Sequence, residues 1–219
     1  MKKINKKTVL LTSLVCLLPL ILGLILFNRL PDLLASHWNV SGVVDAYIPK
    51  LTFIIGFPLL MVFINFLVIL ATTLDPKRKH NSDQLVSLFY WIIPLLSLVV
   101  STITYFFALG FPLNVSVIVT ILCGLLFAVI GNYMPKIKPN YTIGIKVPWT
   151  LNDDDIWYAT HRFAGPLWVV GGLLIIIYPL FIPAKLSFAL FFLTILILAI
   201  VPIFYAYLKA KSSSDKTQK

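Results

Sequence analysis

Six apolar runs, each long enough to cross a bilayer and each free of Asp, Glu, Lys, Arg and His, dominate this chain. They are Thr8 to Phe27, Leu51 to Leu74, Leu85 to Leu109, Leu113 to Met134, Phe163 to Ile182 and Leu186 to Leu208. A helix needs about 20 mainly apolar residues to cross a hydrocarbon layer about 30 Å thick. Lipid offers no partner to an open backbone, so such runs are expected to be helices. Hydrophobic residues make up 59% of the 219, more than a soluble domain of this size uses. The expected fold is an all-α integral membrane protein with six transmembrane helices, a multi-pass protein of the cell membrane.

The first run is read as a retained helix. Lys2, Lys3, Lys6 and Lys7 precede it as they would a secretory signal, but its apolar stretch exceeds the usual length and no A-x-A site follows. Cys16 follows Val15, where a lipoprotein site would need a small residue. Orientation comes from the tendency of Lys and Arg to stay in the cytoplasm. With the N-terminus inside, Lys2, Lys3, Lys6, Lys7, Lys77, Arg78, Lys79, Lys136, Lys138, Lys146, Arg162, Lys209, Lys211, Lys216 and Lys219 are all cytoplasmic. Only Arg29, Lys50 and Lys185 remain outside. Both termini are then cytoplasmic, with one structured outer loop and one structured inner loop.

This distribution accounts for the net charge of +10 without a nucleic-acid partner, because the basic residues flank helices, where they meet lipid headgroups. Cys16 and Cys123 both fall inside spans and form no disulfide or zinc framework. His37 falls outside while His80 and His161 fall inside, so the three cannot share a metal. No cofactor or metal is expected. Within the spans Asn65 is the strongest polar group, and Ser97, Ser101, Thr102 and Thr104 give the third span a hydroxyl-bearing stretch; such amides and hydroxyls most often bond across helices. Pro19, Pro58, Pro94, Pro179 and Pro202 each remove a helical donor, so kinks beside neighbouring helices are expected.

Function is therefore sought in the loops. The outer loop, 28–50, reads NRLPDLLASHWNVSGVVDAYIPK. Asn39, Ser41 and Gly42 suit a turn. Trp38 and Tyr47 suit the headgroup level, where aromatic residues anchor a loop. His37, Asp45 and Lys50 are the groups such a cap would present to an external ligand. The inner loop, 135–162, has Pro135 and Pro139 to end the fourth span, a turn at Asn140 to Gly144, and an extended stretch from Ile145 to Leu151 interrupted by Pro148. Asn152 is the expected N-cap of a short surface helix, with Asp153, Asp154 and Asp155 against its positive end. Ile156, Ala159 and Phe163 would form its buried face, and Gly165-Pro166 would end it. The aspartates lack the convergent geometry of a divalent-metal site. No activated nucleophile accompanies His161, so an enzyme is not expected. Composition divides the chain into a two-helix unit, 1–75, a basic loop and third span, 76–112, a second unit, 113–208, and a disordered cytoplasmic tail, 209–219.

The segment GNYMPKIKPNYTIGIKVPWTLNDDDIWYATHRFAG resembles the signature of the SdpI family of bacterial membrane immunity proteins. LPDLLASHWNVSGVVDAYIPK resembles the domain of unknown function often found ahead of it. The specific matches are Gly131-Asn132, Asn140, Gly144-Ile145, Pro148-Trp149-Thr150-Leu151, Trp157, Thr160-His161-Arg162 and Gly165, with His37, Gly42, Asp45 and Lys50 in the outer loop. Lys146 stands where the family pattern has Arg, and Val147 where it has Thr. Lysine keeps the charge but lacks the planar fork. The resemblance implies resistance to a secreted, membrane-active toxic peptide or bacteriocin. A second implied role is signalling, by holding a cytoplasmic winged-helix repressor at the membrane. The partners implied are the lipid bilayer, the toxic peptide and that repressor. Candidate toxin contacts are His37, Trp38, Asn39, Asp45 and Lys50. Candidate inner-motif residues are Asn132, Asn140, Gly144, Lys146, Pro148, Trp149, Thr150, Trp157, Thr160, His161 and Arg162, with Trp149, Trp157, His161 and Arg162 as the expected core. The alternative from another class is a small peptide or lipid exporter or permease, for which the intraspan prolines are the support.

Overall fold

The computed structural model describes residues 6–77 and 83–217. Lys2, Lys3, Arg78, Lys79 and Lys219, which helped set the orientation, and His80 lie outside the described residues. In chain order the elements are α1 (Lys6–Ile25), β1 (Leu33–Trp38), β2 (Val44–Pro49), a π-helical turn (Thr52–Gly56), α2 (Phe57–Leu74), α3 (Asp83–Ala108), α4 (Val115–Tyr133), α5 (Pro148–Asn152), α6 (Asp154–Phe181) and α7 (Ala184–Thr217). Among the described residues six helical segments are long and apolar enough to cross a membrane. The protein is a multi-pass, mostly helical membrane protein. α6 begins nine residues ahead of the predicted fifth run, and α7 continues past Leu208 to Thr217, because Lys209 to Thr217 contains neither Pro nor Gly.

The chain forms two compact units, one built from α1, the hairpin, α2 and α3, the other from most of α4 with α5 to α7 and the residues just after Leu74. In the first unit the polar groups face inward and large apolar side chains such as Leu10, Leu14, Ile21, Phe63 and Phe66 face out, the arrangement lipid requires. Asn65 Nδ2 donates to Thr12 Oγ1 at 3.0 Å, Ser97 Oγ donates to Cys16 O at 3.0 Å, and the Tyr105 hydroxyl donates to Pro19 O at 3.1 Å. Each ties α1 to α2 or α3, as expected for polar residues within spans. The last two fall beside Pro19, which lies inside α1. Leu30, Leu34, Phe53, Ile54 and Tyr105 form a buried apolar cluster under the hairpin.

In the second unit α4 and α6 approach closely along glycines. A Cβ on Gly124 would lie 2.6 Å from Gly172 O, and one on Gly131 would lie 2.7 Å from Val169 N and 2.8 Å from Gly165 O. A Cβ on Gly165 would lie 2.7 Å from Pro135 Cγ. Gly165-Pro166 therefore does not break the helix as the sequence suggested. Gly165 is a packing residue, and Pro166, which is exposed, sits inside an unbroken α6. Pro202, inside α7, cannot donate to Leu198 O four residues back. Trp168 Nε1 of α6 donates to that carbonyl at 2.9 Å, so the neighbouring helix supplies the missing donor.

Candidate functional site

The outer loop is a two-stranded antiparallel β-hairpin, a departure from the all-helical expectation. Its turn is set by Asn39, whose Oδ1 accepts from Ser41 N at 2.9 Å and Val43 N at 3.1 Å, and by Gly42 at φ +77°. Leu34 and Ala35 of β1 are buried, and Trp38 meets Phe107 of α3 edge-on at 5.5 Å. His37 Nδ1 and Asp45 Oδ1 pair at 2.5 Å, with both side chains substantially exposed. These two are the groups the hairpin presents. Lys50 is used within the fold. Its Nζ donates to Leu30 O at 3.3 Å and Phe27 O at 3.4 Å, lies over the Phe27 ring and pairs with Asp32 at 3.1 Å. Its side chain is 17% exposed, so it clasps the carbonyls beyond the end of α1 to the base of the hairpin.

The inner loop folds around one asparagine. Asn140, 2% exposed, accepts at Oδ1 from Thr142 N (2.8 Å) and Ile143 N (2.6 Å), and donates from Nδ2 to Lys138 O (2.8 Å) and Ile143 O (3.0 Å). Both faces of the amide are thereby used. The turn is completed by Gly144 at φ +117°, where a Cβ would run into His161 Nε2 and lie 3.2 Å from the Trp157 ring. Only glycine fits both the backbone and the space.

Under this turn Trp157 and His161, both fully buried, stack one helical turn apart on α6 with centroids 4.2 Å apart. Trp157 Nε1 donates to Ile137 O at 2.8 Å. His161 Nδ1 lies 2.8 Å from Trp157 O, an acceptor, and so donates. His161 Nε2 receives the Ile145 N–H at 3.0 Å. The two bonds fix the tautomer, with the proton on Nδ1 and the Nε2 lone pair occupied by the Ile145 N–H. His161 is accordingly a neutral strut that fixes the far end of the turn, without the open nitrogen that metal binding or proton transfer needs.

α5 replaces the later part, Pro148 to Leu151, of the extended stretch expected at Ile145 to Leu151, while Val147 ahead of it is extended. Pro148 is its first residue, where a missing N–H loses nothing. Thr150 Oγ1 accepts from Val147 N at 3.1 Å and donates to Ile145 O at 2.7 Å. Asp153, not Asn152, caps α6, accepting from Ile156 N at 3.0 Å; Asn152 belongs to the end of α5. The buried face of α6 here is Ile156, Trp157, Thr160, His161 and Ala164, so Phe163, exposed and stacked on Tyr205, is not on it. Thr160 Oγ1 is buried with no hydrogen-bond partner among the described residues. Trp149 is half-buried against Tyr207 of α7 at 5.3 Å, apart from the stack. Asn132, Lys146, Pro148 and Arg162 are exposed, and Lys146 Nζ donates to Thr142 O at 3.0 Å. The buried core is thus Asn140, Thr150, Trp157 and His161, with half-buried Gly144 against the stacked rings and exposed Arg162 at its rim.

Sequence reasoning missed Asp75. This residue follows α2 directly and is 9% exposed. Its Oδ2 accepts from Tyr141 N at 2.8 Å and Thr142 Oγ1 at 2.7 Å, and its Oδ1 accepts from Lys77 N at 2.8 Å. A lone carboxylate at the end of a span, in a loop otherwise basic, is the signal that marks it. Among the described residues no cluster of His, Cys, Asp or Glu suits a metal ion.

Residues 136–206 match the sequence model of the SdpI/YfhL protein family, and residues 14–62 match a domain of unknown function, DUF1648. The protein named immunity protein SdpI, from Bacillus subtilis (strain 168), is 28% identical over 198 residues, which cover 89% of this chain and 92% of that protein. No solved structure matches the chain.

Proposed function

We propose, from the match of residues 136–206 to the SdpI/YfhL family model and the likeness of most of the chain to immunity protein SdpI, that this is a bacterial membrane immunity protein that protects its cell from a secreted, membrane-active toxic peptide. The observation that carries this reading is the inner motif. Asn140, Gly144, Trp157 and His161 form one hydrogen-bonded, closely packed arrangement inside the segment that matches the family model. An element this ordered at the end of a spanning helix is a conformational or partner-binding part, with the hairpin as the part that meets the toxin. Asn140, both tautomeric positions of His161 and the Trp157 indole are all used in internal bonds, which favours recognition over chemistry. The second role, holding a winged-helix repressor, would fall to the exposed rim of Lys146, Pro148 and Arg162.

The test is survival. A sensitive bacterium expressing the chain is challenged with the peptides secreted by a producing strain, beside a Pro148→Ala, Trp149→Ala double variant. The parent should protect and the double variant should not, although it inserts equally well. An unprotected parent contradicts the reading, and equal protection by the double variant contradicts the role of the inner motif. Proteoliposomes carrying the chain should bind the peptide without moving it across; sustained flux would favour an exporter. A photo-crosslinker placed at Arg162 should capture a winged-helix protein in toxin-treated cells, and its failure to do so would remove the second role.

A further inference from the structure

Among the described residues the hairpin has only two strands, so each strand has one edge without a ladder partner there. β1 is covered, with Leu34 and Ala35 buried and Trp38 seated on Phe107 of α3. β2 is not. Asp45, Ala46, Tyr47 and Pro49 are exposed, and Val44 and Ile48 are only partly covered. The direction of its free groups follows from the ladder. The Lys50 N–H donates to Asp32 O at 2.8 Å, and Leu34 opposes Ile48 while Ala35 opposes Tyr47. Bonding alternates along an antiparallel pair, so Lys50 and Ile48 face β1, and Tyr47 and Pro49 face away. The Tyr47 N–H and C=O have no partner among the described residues. Pro49 offers only a carbonyl at that end.

Edge strands are usually blunted by lysine, proline or inward charge. Here β2 reads VDAYIP: Pro49 blunts its last position, but Val44 to Ile48 carries no lysine or proline, and its one charge is paired with His37. Around it Leu33, Val43 and Tyr47 are exposed by 55%, 59% and 57%. The hairpin follows α1 and leads directly into the second span, which places it at the membrane surface.

We propose that β2 is the docking edge for the toxic peptide, which adds to the hairpin as a third strand bonded through the Tyr47 N–H and C=O. This rests on the immunity reading above and deepens it. The occupant is an extended, largely apolar peptide segment. A membrane-active peptide arriving at the headgroup level carries backbone amides that are costly to leave unpaired as it enters lipid. An open strand edge at that level satisfies them in a way a helix surface cannot. Leu33, Val43 and Tyr47 supply apolar contact for its side chains. A strand held on the outer hairpin is also kept from inserting, which is protection.

The experiment uses the full chain in lipid nanodiscs, with and without the concentrated peptide fraction secreted by a producing strain, read by amide hydrogen exchange, alongside survival of cells carrying variants. The Tyr47 amide should exchange about tenfold more slowly with peptide present, and Tyr47→Pro, which removes the outward N–H together with the phenol ring, should weaken protection about tenfold, the effect of losing one hydrogen bond. Tyr47→Val, which keeps the N–H, should protect within about threefold of the parent. A parent that protects while the Tyr47 amide is unchanged by peptide overturns the docking edge alone. So does Tyr47→Val failing as badly as Tyr47→Pro, which would assign recognition to the ring. Slow exchange at Tyr47 without peptide, in a dimeric sample, would give the edge to a second copy and also overturn it. A parent that gives no protection overturns the immunity reading and this inference together.

Discussion

Replacing Gly144 with alanine strikes the inner motif at its tightest point. The backbone there sits at φ +117°, a conformation that costs a residue with a Cβ about 1–3 kcal/mol. The new methyl would meet His161 Nε2 and the Trp157 ring, and overpacking of this kind costs a further 1–3 kcal/mol. Relief requires either the turn or the imidazole to move. Either movement breaks the Ile145 N–H bond to His161 Nε2. The two contributions together come to about 2–6 kcal/mol, and even the lower end corresponds to roughly thirtyfold in an opening equilibrium. The Ile145 amide should therefore exchange at least about thirtyfold faster in Gly144→Ala than in the parent, while amides of α1 to α3 stay unchanged. Protection against toxin should fall with it. If Ile145 exchanges at the parent's rate in a variant that inserts normally, the turn is not held by His161 and the account of the inner motif is wrong.

Three further outcomes follow from the same geometry. Trp168→Phe leaves Leu198 O without a donor and should lower stability to unfolding in mixed micelles by about 1–3 kcal/mol, whereas in a Pro202→Ala background, where residue 202 regains its N–H, most of that loss should vanish; equal losses in both backgrounds would refute the pairing. Asp75→Asn replaces a charge-assisted acceptor of the Tyr141 N–H and the Thr142 hydroxyl and should speed exchange at Tyr141 by about tenfold, with no change there counting against Asp75 as an anchor. Lys50→Met should free the carbonyls of Phe27 and Leu30 and loosen the hairpin base, seen as faster exchange at Leu30 to Asp32; unaltered exchange would return Lys50 to the role of an external contact.

The six spans were legible because lipid imposes a single rule, the absence of charge over about 20 residues, and the chain obeys it without exception. The turns were legible too, since Asn39-Gly42 and Asn140-Gly144 carry the side chains that build them. The hairpin was not. LLASHW and VDAYIP lack clean alternation because β1 buries Leu34 and Ala35 side by side, and its register is interrupted between Ala35 and Trp38. α5 was hidden because Pro148 reads as a break when seen in sequence but is a favourable first residue once a helix starts there. Asn152 and Asp153 are both good caps, and only the short helix ending at Asn152 decides between them. Lys50 and Asp75 show the limit most clearly: each looks like a solvated loop charge, and each is committed to backbone groups brought near it by tertiary folding.

The account depends on the hairpin facing outward and the Trp157–His161 motif facing the cytoplasm. In a chain carrying Cys16→Ala and Cys123→Ala, single cysteines at Ser41 and at Asn152 are offered a membrane-impermeant thiol reagent on intact cells. The prediction is that Ser41→Cys is labelled at once and Asn152→Cys only after the membrane is opened. Labelling of both from the same side would contradict it.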